Sequence, residues 1–221
     1  MLKQFMSEYN EAVMDTDRDR ALLVVRDALD QGISPEEVVF EIVVPAIELT
    51  MTSISENQGV SLAQHFMAAQ IASEVVDDMV PRFAKAPEIV GQIVIGTAQG
   101  DFHGLGKRIV AGCLKAMMVE VADLGLNVAP ELFVDEAVAR DAEVIAISAM
   151  MVHTARGENG CRRVRQILGE RGLEERIKVA VGGAPFRFDP ELFRTVGADA
   201  WAENGITAAR VITDLIREVR R

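Results

Sequence analysis

Residues 100–106 read Gly-Asp-Phe-His-Gly-Leu-Gly, which sets a carboxylate two positions before an imidazole. In an extended segment, residues i and i+2 face the same side, so Asp101 and His103 can meet in one cleft. A hydrogen bond between them fixes the ring's tautomer and raises its basicity toward a metal. Gly104 and Gly106 clear side chains from a backbone that a large flat ligand would approach closely. Imidazole suits a mid-to-late transition metal, yet no second or third ligand of matching type stands nearby in the sequence. The loop is expected to dock something bulky.

Three elements must position these groups. Ile93-Val94-Ile95, Val144-Ile145-Ala146-Ile147 and Val179-Ala180-Val181 are short, continuous apolar runs, the pattern of strands buried on both faces. Helical stretches are expected at about 106–123, 158–171 and 204–220. Strands alternating with helices imply a parallel sheet, here an α/β Rossmann-like (flavodoxin-like) domain over residues 88–221. Such sheets bind ligands beyond the carboxyl ends of their strands. Asp101-His103, Ser148 and Gly182-Gly183 each fall just past such an end.

Residues 1–87 read differently. Ser34-Pro35-Glu36-Glu37 joins a capping serine, a first-turn proline and a glutamate three residues on, and Ser61 with Gln64 repeats the pattern. Gly32 and Gly59 are helix stops. Leu62, Phe66, Ala69, Ala72, Val76 and Val80 recur at helical spacing as one buried stripe, and Pro45 is expected to kink or divide the third helix. A bundle of about four helices is the expectation. A short linker, Ala84-Lys85-Ala86-Pro87, leads into the second domain.

The chain has 221 residues, 49% hydrophobic and 26% charged, and a net charge of −11, most of it in residues 1–87. That excess of acid argues against nucleic-acid binding. No apolar run reaches the roughly 20 residues that span a bilayer, and the N-terminus lacks a secretory pattern. A cytoplasmic protein with no membrane contact is expected. Cys113 and Cys161 are too few for a disulfide framework and are read as small buried hydrophobes.

The ordered set Gly96-Thr97-x-x-Gly100-Asp101-x-His103-x-x-Gly106, then Ser148-x-Met150, then Gly182-Gly183, then Ala202-Glu203 resembles the vitamin B12-binding module of methionine synthase, the acyl-CoA mutases and the corrinoid methyl carriers. It covers most of residues 88–221. Family members often carry Asp-Ile where this chain has Gly104-Leu105, and leucine where it has Met150. Residues 151–181 form a slightly longer spacer than usual, the extra length expected at Gly157-Glu158-Asn159-Gly160.

The resemblance implies cobalamin as cofactor, bound base-off with His103 as the lower cobalt ligand and Asp101 tuning it. It further implies that Ser148 bonds the displaced nucleotide tail, Thr154 supports Asp101, and Gly182 and Gly183 give the tail room. Phe102, Gly104, Leu105, Gly106, Met150, Val152, Ala202 and Glu203 are the other implied contacts. A helical bundle ahead of this module is similar to the cap over the cofactor's upper face in methionine synthase and the corrinoid proteins. Phe66, Met67, His65 and Met51 are candidates for lining it.

The implied role is a methyl carrier, itself non-catalytic, between a substrate-specific methyltransferase and a second methyltransferase that serves the acceptor, with a reductive activator of the corrinoid. A B12-dependent sensor and the cobalamin-binding subunit of a mutase are the alternatives. A sensor would ordinarily bring a basic DNA-binding segment, and residues 1–87 are acidic. A phosphoacceptor receiver shares the α/β alternation, but its chemistry wants an acidic pair at the end of its first strand and an aspartate at the end of its third, and Ser148 occupies the latter position.

Overall fold

The computed structural model describes residues 1–47, 49, 61–84 and 88–221; the side chains of Leu62, His65 and Ile206 lie outside the description. Met51, Gly59 and Lys85-Ala86-Pro87 fall outside the described residues. The chain divides into two compact units, Met1–Glu88 with Gly112–Met118, and Ile89–Ala111 with Val119–Arg221.

The first unit is helical. Helix α1 (Leu2–Met14) and α2 (Arg18–Asp30) bury Tyr9, Val13, Val24 and Val25. Asp17 caps α2 by accepting from the Arg20 amide, and Gly32, at φ 86°, ends the turn that follows. Helix α3 opens at Pro35–Glu37 behind a complete Ser34–Glu37 capping box and continues as a π-helical stretch, Val38–Val43. Pro45 does not divide the helix. It lacks an N–H, and its ring crowds the carbonyl four residues back; the wider π turn ahead of it absorbs both defects, and the chain stays helical through Ile47.

Helix α4 (Leu62–Met79) begins at the Ser61–Gln64 capping box. The Gln64 side chain also donates to the Met14 carbonyl at 2.9 Å, tying the start of α4 to the end of α1. Ala69, Ala72 and Val76 of the expected stripe are buried, and Ala68, Ile71, Val75 and Met79 form a second buried stripe beside it. The apolar face is therefore twice as broad as one periodic row suggests.

The second unit is a five-stranded parallel sheet of order β2-β1-β3-β4-β5, from β1 (Gly91–Thr97), β2 (Val119–Asp123), β3 (Val144–Ser148), β4 (Lys178–Gly182) and β5 (Ala200–Ala202). Its helices are α5 (Leu105–Ala116), α6 (Pro130–Ala139), α7 (Val152–Arg156), α8 (Cys161–Glu170), α9 (Ala184–Phe188), α10 (Leu192–Thr195) and α11 (Gly205–Val219). One face of the sheet packs Val94, Ile145, Ile147, Val179 and Val181 with Phe133, Val134, Val164 and Leu168 of α6 and α8. Helix α11 lies along β1, β3, β4 and β5, with Ile216 over Gly91.

Two expectations are corrected here. The stretch 106–123 is not one helix: α5 ends at Ala116, Met118 turns the chain at φ 58°, and β2 follows. Helix α6 and strands β2 and β5 were not foreseen. Cys113 and Cys161 are buried free thiols, and burial pushes both up to about 12.

Candidate cofactor site

The order 2-1-3-4-5 reverses direction between β1 and β3, the switch point at which such sheets open a crevice. The loop leaving β1 carries Asp101 and His103, and the loop leaving β3 carries Met150 and leads to Thr154. Across the carboxyl edge, Thr97 pairs with Ser148, Ser148 with Gly182, and Gly182 with Ala202. Four of the sequence motifs thus end in a single row.

Asp101 is fully buried. Its Oδ1 accepts from the His103 amide and the His103 ring Nδ1, both at 2.9 Å, and its Oδ2 accepts from the Met150 amide at 2.6 Å. The Thr154 hydroxyl lies 3.0 Å from Oδ2 and 2.8 Å from the Met151 carbonyl, so one proton serves two acceptors. Burial works against ionisation of Asp101. The His103 and Met150 amides, the His103 ring and the Thr154 hydroxyl together outweigh it and hold the carboxyl below its usual range. An ionised carboxylate only accepts, so Nδ1 carries the proton of this contact, and it is in the neutral imidazole that Nε2 keeps a lone pair. The His103 side chain is 57% exposed, with no hydrogen-bond partner for Nε2 among the described residues.

Phe102, Leu105, Met150 and Val152 are exposed apolar groups around this imidazole loop and the facing β3 loop. Met150 and Val152 also line a cleft of about 280 Å³ with Pro185 and Phe188. Among the described residues no group of three or more His, Cys, Asp or Glu is arranged to hold a metal, and no helix is long and apolar enough to cross a membrane.

The family model for the B12 binding domain matches residues 91–210. The chain belongs to the B12-binding family. Its relatives in that family include the dimethylamine corrinoid protein of Methanosarcina barkeri, 30% identical over 97% of this chain and 98% of the relative. Trimethylamine corrinoid protein 1 of Methanosarcina acetivorans is 30% identical over 99% and 96%. Among solved structures, the methanol:cobalamin methyltransferase complex MtaBC from Methanosarcina barkeri shares the fold, with a TM-score of 0.78 at 20% identity over 97% of this chain and 80% of that one.

The residues of this B12-binding chain fit a corrin-held cobalt in two respects. One imidazole nitrogen without a protein partner among the described residues is presented at the switch point, which would suffice for a metal whose remaining donors come from a macrocycle. Gly106 has no atom within 4 Å of where a Cβ would stand, and at Gly182 the contact would be an ordinary 3.4 Å. The fold itself does not require either position to be bare, and the open backbone there leaves room for a ligand to approach closely.

The structure brings Asp101, His103, Met150 and Thr154 into one hydrogen-bonded group. Ser148 stands half-buried at the end of β3, its carbonyl accepting from the Ala98 amide at 2.9 Å. Gly183 follows β4 at φ 118°, where a Cβ would sit 2.0 Å from the Ala149 carbonyl oxygen. Ala202 is buried and Glu203 exposed, at the far end of the row. Phe66 and Met67 are half-buried on α4 in the helical unit. Sequence reasoning passed over Asn127, whose side chain accepts from the Gly100 amide at 2.7 Å, and over Thr97 as a bonded group. Nothing in the local pattern around Leu126-Asn127 signals such a role, because its partners belong to another loop.

Proposed function

We propose that this chain binds cobalamin base-off, with His103 as the lower ligand, and carries a methyl group between partner methyltransferases. When bound, the corrinoid supplies a cobalt centre that accepts and releases the methyl group. His103 offers Nε2 from below, and Asp101 keeps the proton on Nδ1 so that the free nitrogen stays available. The row Thr97, Ser148, Gly182 and Ala202 receives the displaced nucleotide tail, Ser148 through its hydroxyl and the glycines by leaving space. Phe102, Gly104, Leu105, Gly106, Met150, Val152 and Glu203 surround the ring edge.

Residues 1–87 act as a helical cap, with Phe66 and Met67 excluding water from the upper face. The partners are a substrate-specific methyltransferase, a second methyltransferase serving the acceptor, and a reductive activator, in a cytoplasmic setting. The names of the full-length relatives, dimethylamine and trimethylamine corrinoid proteins, support a methylated amine as the methyl source.

The buried Asp101 tied to the exposed His103 is the observation that carries this reading. Purified protein given hydroxocobalamin should retain colour through desalting and show a histidine-ligated spectrum. His103→Ala should convert that spectrum to base-off or weaken binding by about tenfold or more. A wild-type protein that emerges colourless, or a variant with an unchanged spectrum, refutes the reading.

A further inference from the structure

We propose that Asn127 is a positioning residue for His103, acting through the backbone of the loop rather than through the ring. This rests on the reading of His103 as the cobalt ligand. Asp101 orients the imidazole, but a carboxylate can orient a ring only if its own main chain is held. Residues 98–104 form no helix or strand, so that main chain depends on what it leans against.

It leans on the loop after β2. The Asn127 amide reaches the Asp101 carbonyl at 3.0 Å and the Thr97 hydroxyl oxygen at 2.8 Å. That hydroxyl in turn donates to the Asp101 carbonyl at 2.6 Å. The Asn127 side chain adds the contact to the Gly100 amide, so the residues on either side of the peptide preceding Asp101 are both fixed by one asparagine. Asn127 sits at φ 55°, a left-handed conformation that asparagine tolerates better than most residues.

The supporting loop is itself anchored. Leu124 donates to the Ile95 carbonyl at 2.8 Å, Val128 to the Thr97 carbonyl at 3.0 Å, and the Thr97 amide to the Gly125 carbonyl at 3.2 Å. Asp123 accepts from the Gly125 amide at 2.8 Å and from the Lys107 ammonium. Lys107 is buried on α5, just beyond the histidine loop. Both flanks of that loop are therefore fastened to the same ledge. A ligand held to within fractions of an ångström needs such backing.

The side-chain contribution separates cleanly from the backbone's. Gly100 is exposed, so water can replace the Asn127 oxygen at little cost in stability, while the fixed geometry is lost. Asn127→Gly keeps the left-handed backbone and removes the acceptor; Asn127→Asp keeps both. With hydroxocobalamin bound, Asn127→Gly should lower the ratio of histidine-ligated to base-off cofactor, read from the visible spectrum, by about three- to tenfold, the scale of one hydrogen bond. Asn127→Asp should retain the wild-type ratio. In the cofactor-free protein, hydrogen exchange at the Gly100 amide should quicken in the glycine variant alone.

A wild-type ratio in Asn127→Gly, or an equal loss in both variants, overturns the assignment while leaving His103 as ligand intact. Unchanged exchange at Gly100 also overturns it. A wild-type protein that takes up cobalamin without histidine ligation instead removes the reading beneath it.

Discussion

Two loops on the carboxyl edge of the sheet are fixed by opposite means. The loop after β1 is held by donors converging on Asp101 from three chain segments: His103 beside it, Asn127 after β2, and Met150 with Thr154 after β3. The loop after β4 is held by exclusion, since Gly183 lies so near the Ala149 carbonyl that no side chain fits. A polar network sets direction, which an imidazole ligand needs. A bare backbone lets one loop close tightly on its neighbour, which fixes their spacing. The difference teaches that one edge of a parallel sheet can fix direction and spacing by separate means at adjacent positions.

Gly183→Ala tests the exclusion arm and should have the largest effect. A Cβ 2.0 Å from a carbonyl oxygen at φ 118° should cost about 3 kcal/mol or more of stability, the mark of a strained and overpacked backbone. Chemical denaturation of the cofactor-free protein measures it, and a loss below about 1 kcal/mol would dissolve the contrast between the loops.

Asp101→Ala tests the network arm. It leaves the His103 and Met150 amides without their acceptor, while the Thr154 hydroxyl keeps the Met151 carbonyl, at about 1–3 kcal/mol for a group left unpaired, and should also lower the histidine-ligated fraction of bound cobalamin. Stability lost with ligation unchanged would reduce the carboxylate to a packing role. Thr154→Val, which removes one shared donor and keeps the shape, should cost about 1 kcal/mol in the same denaturation experiment.

Gly106→Ala should have the smallest effect on the fold, and of opposite sign. With open space around the added methyl and a helical backbone, stability should rise by about 0.5–1 kcal/mol, while affinity for cobalamin falls. Equal affinity in a titration would mean that nothing lies against that glycine.

The grip was more legible in the sequence than its support. Asp101 and His103 are two residues apart, so their types and spacing announce the pair, and the Ser34 and Ser61 caps are equally local. Strands β1, β3 and β4 stand out because both faces are buried and their apolar runs are unbroken. Strand β2 alternates Val119, Glu120, Val121 at a half-solvated edge, and Met118 makes its turn at positive φ without a glycine to mark it. A helix over 106–123 was the natural misreading. Asn127 was invisible for a different reason: its partners Thr97 and Gly100 are 30 and 27 positions away, and only the sheet order brings them together. The broad face of α4 escaped because a second apolar row, one position behind the first, dilutes the periodic signal.

Asp101 takes hold of the peptide nitrogen of residue 103 as well as its ring. Every amino acid except proline has that nitrogen, so the path of the chain survives a change of side chain there. Position 103 is in effect a socket whose backbone mounting is independent of the side chain it carries, and only the bond to the ring is particular to histidine.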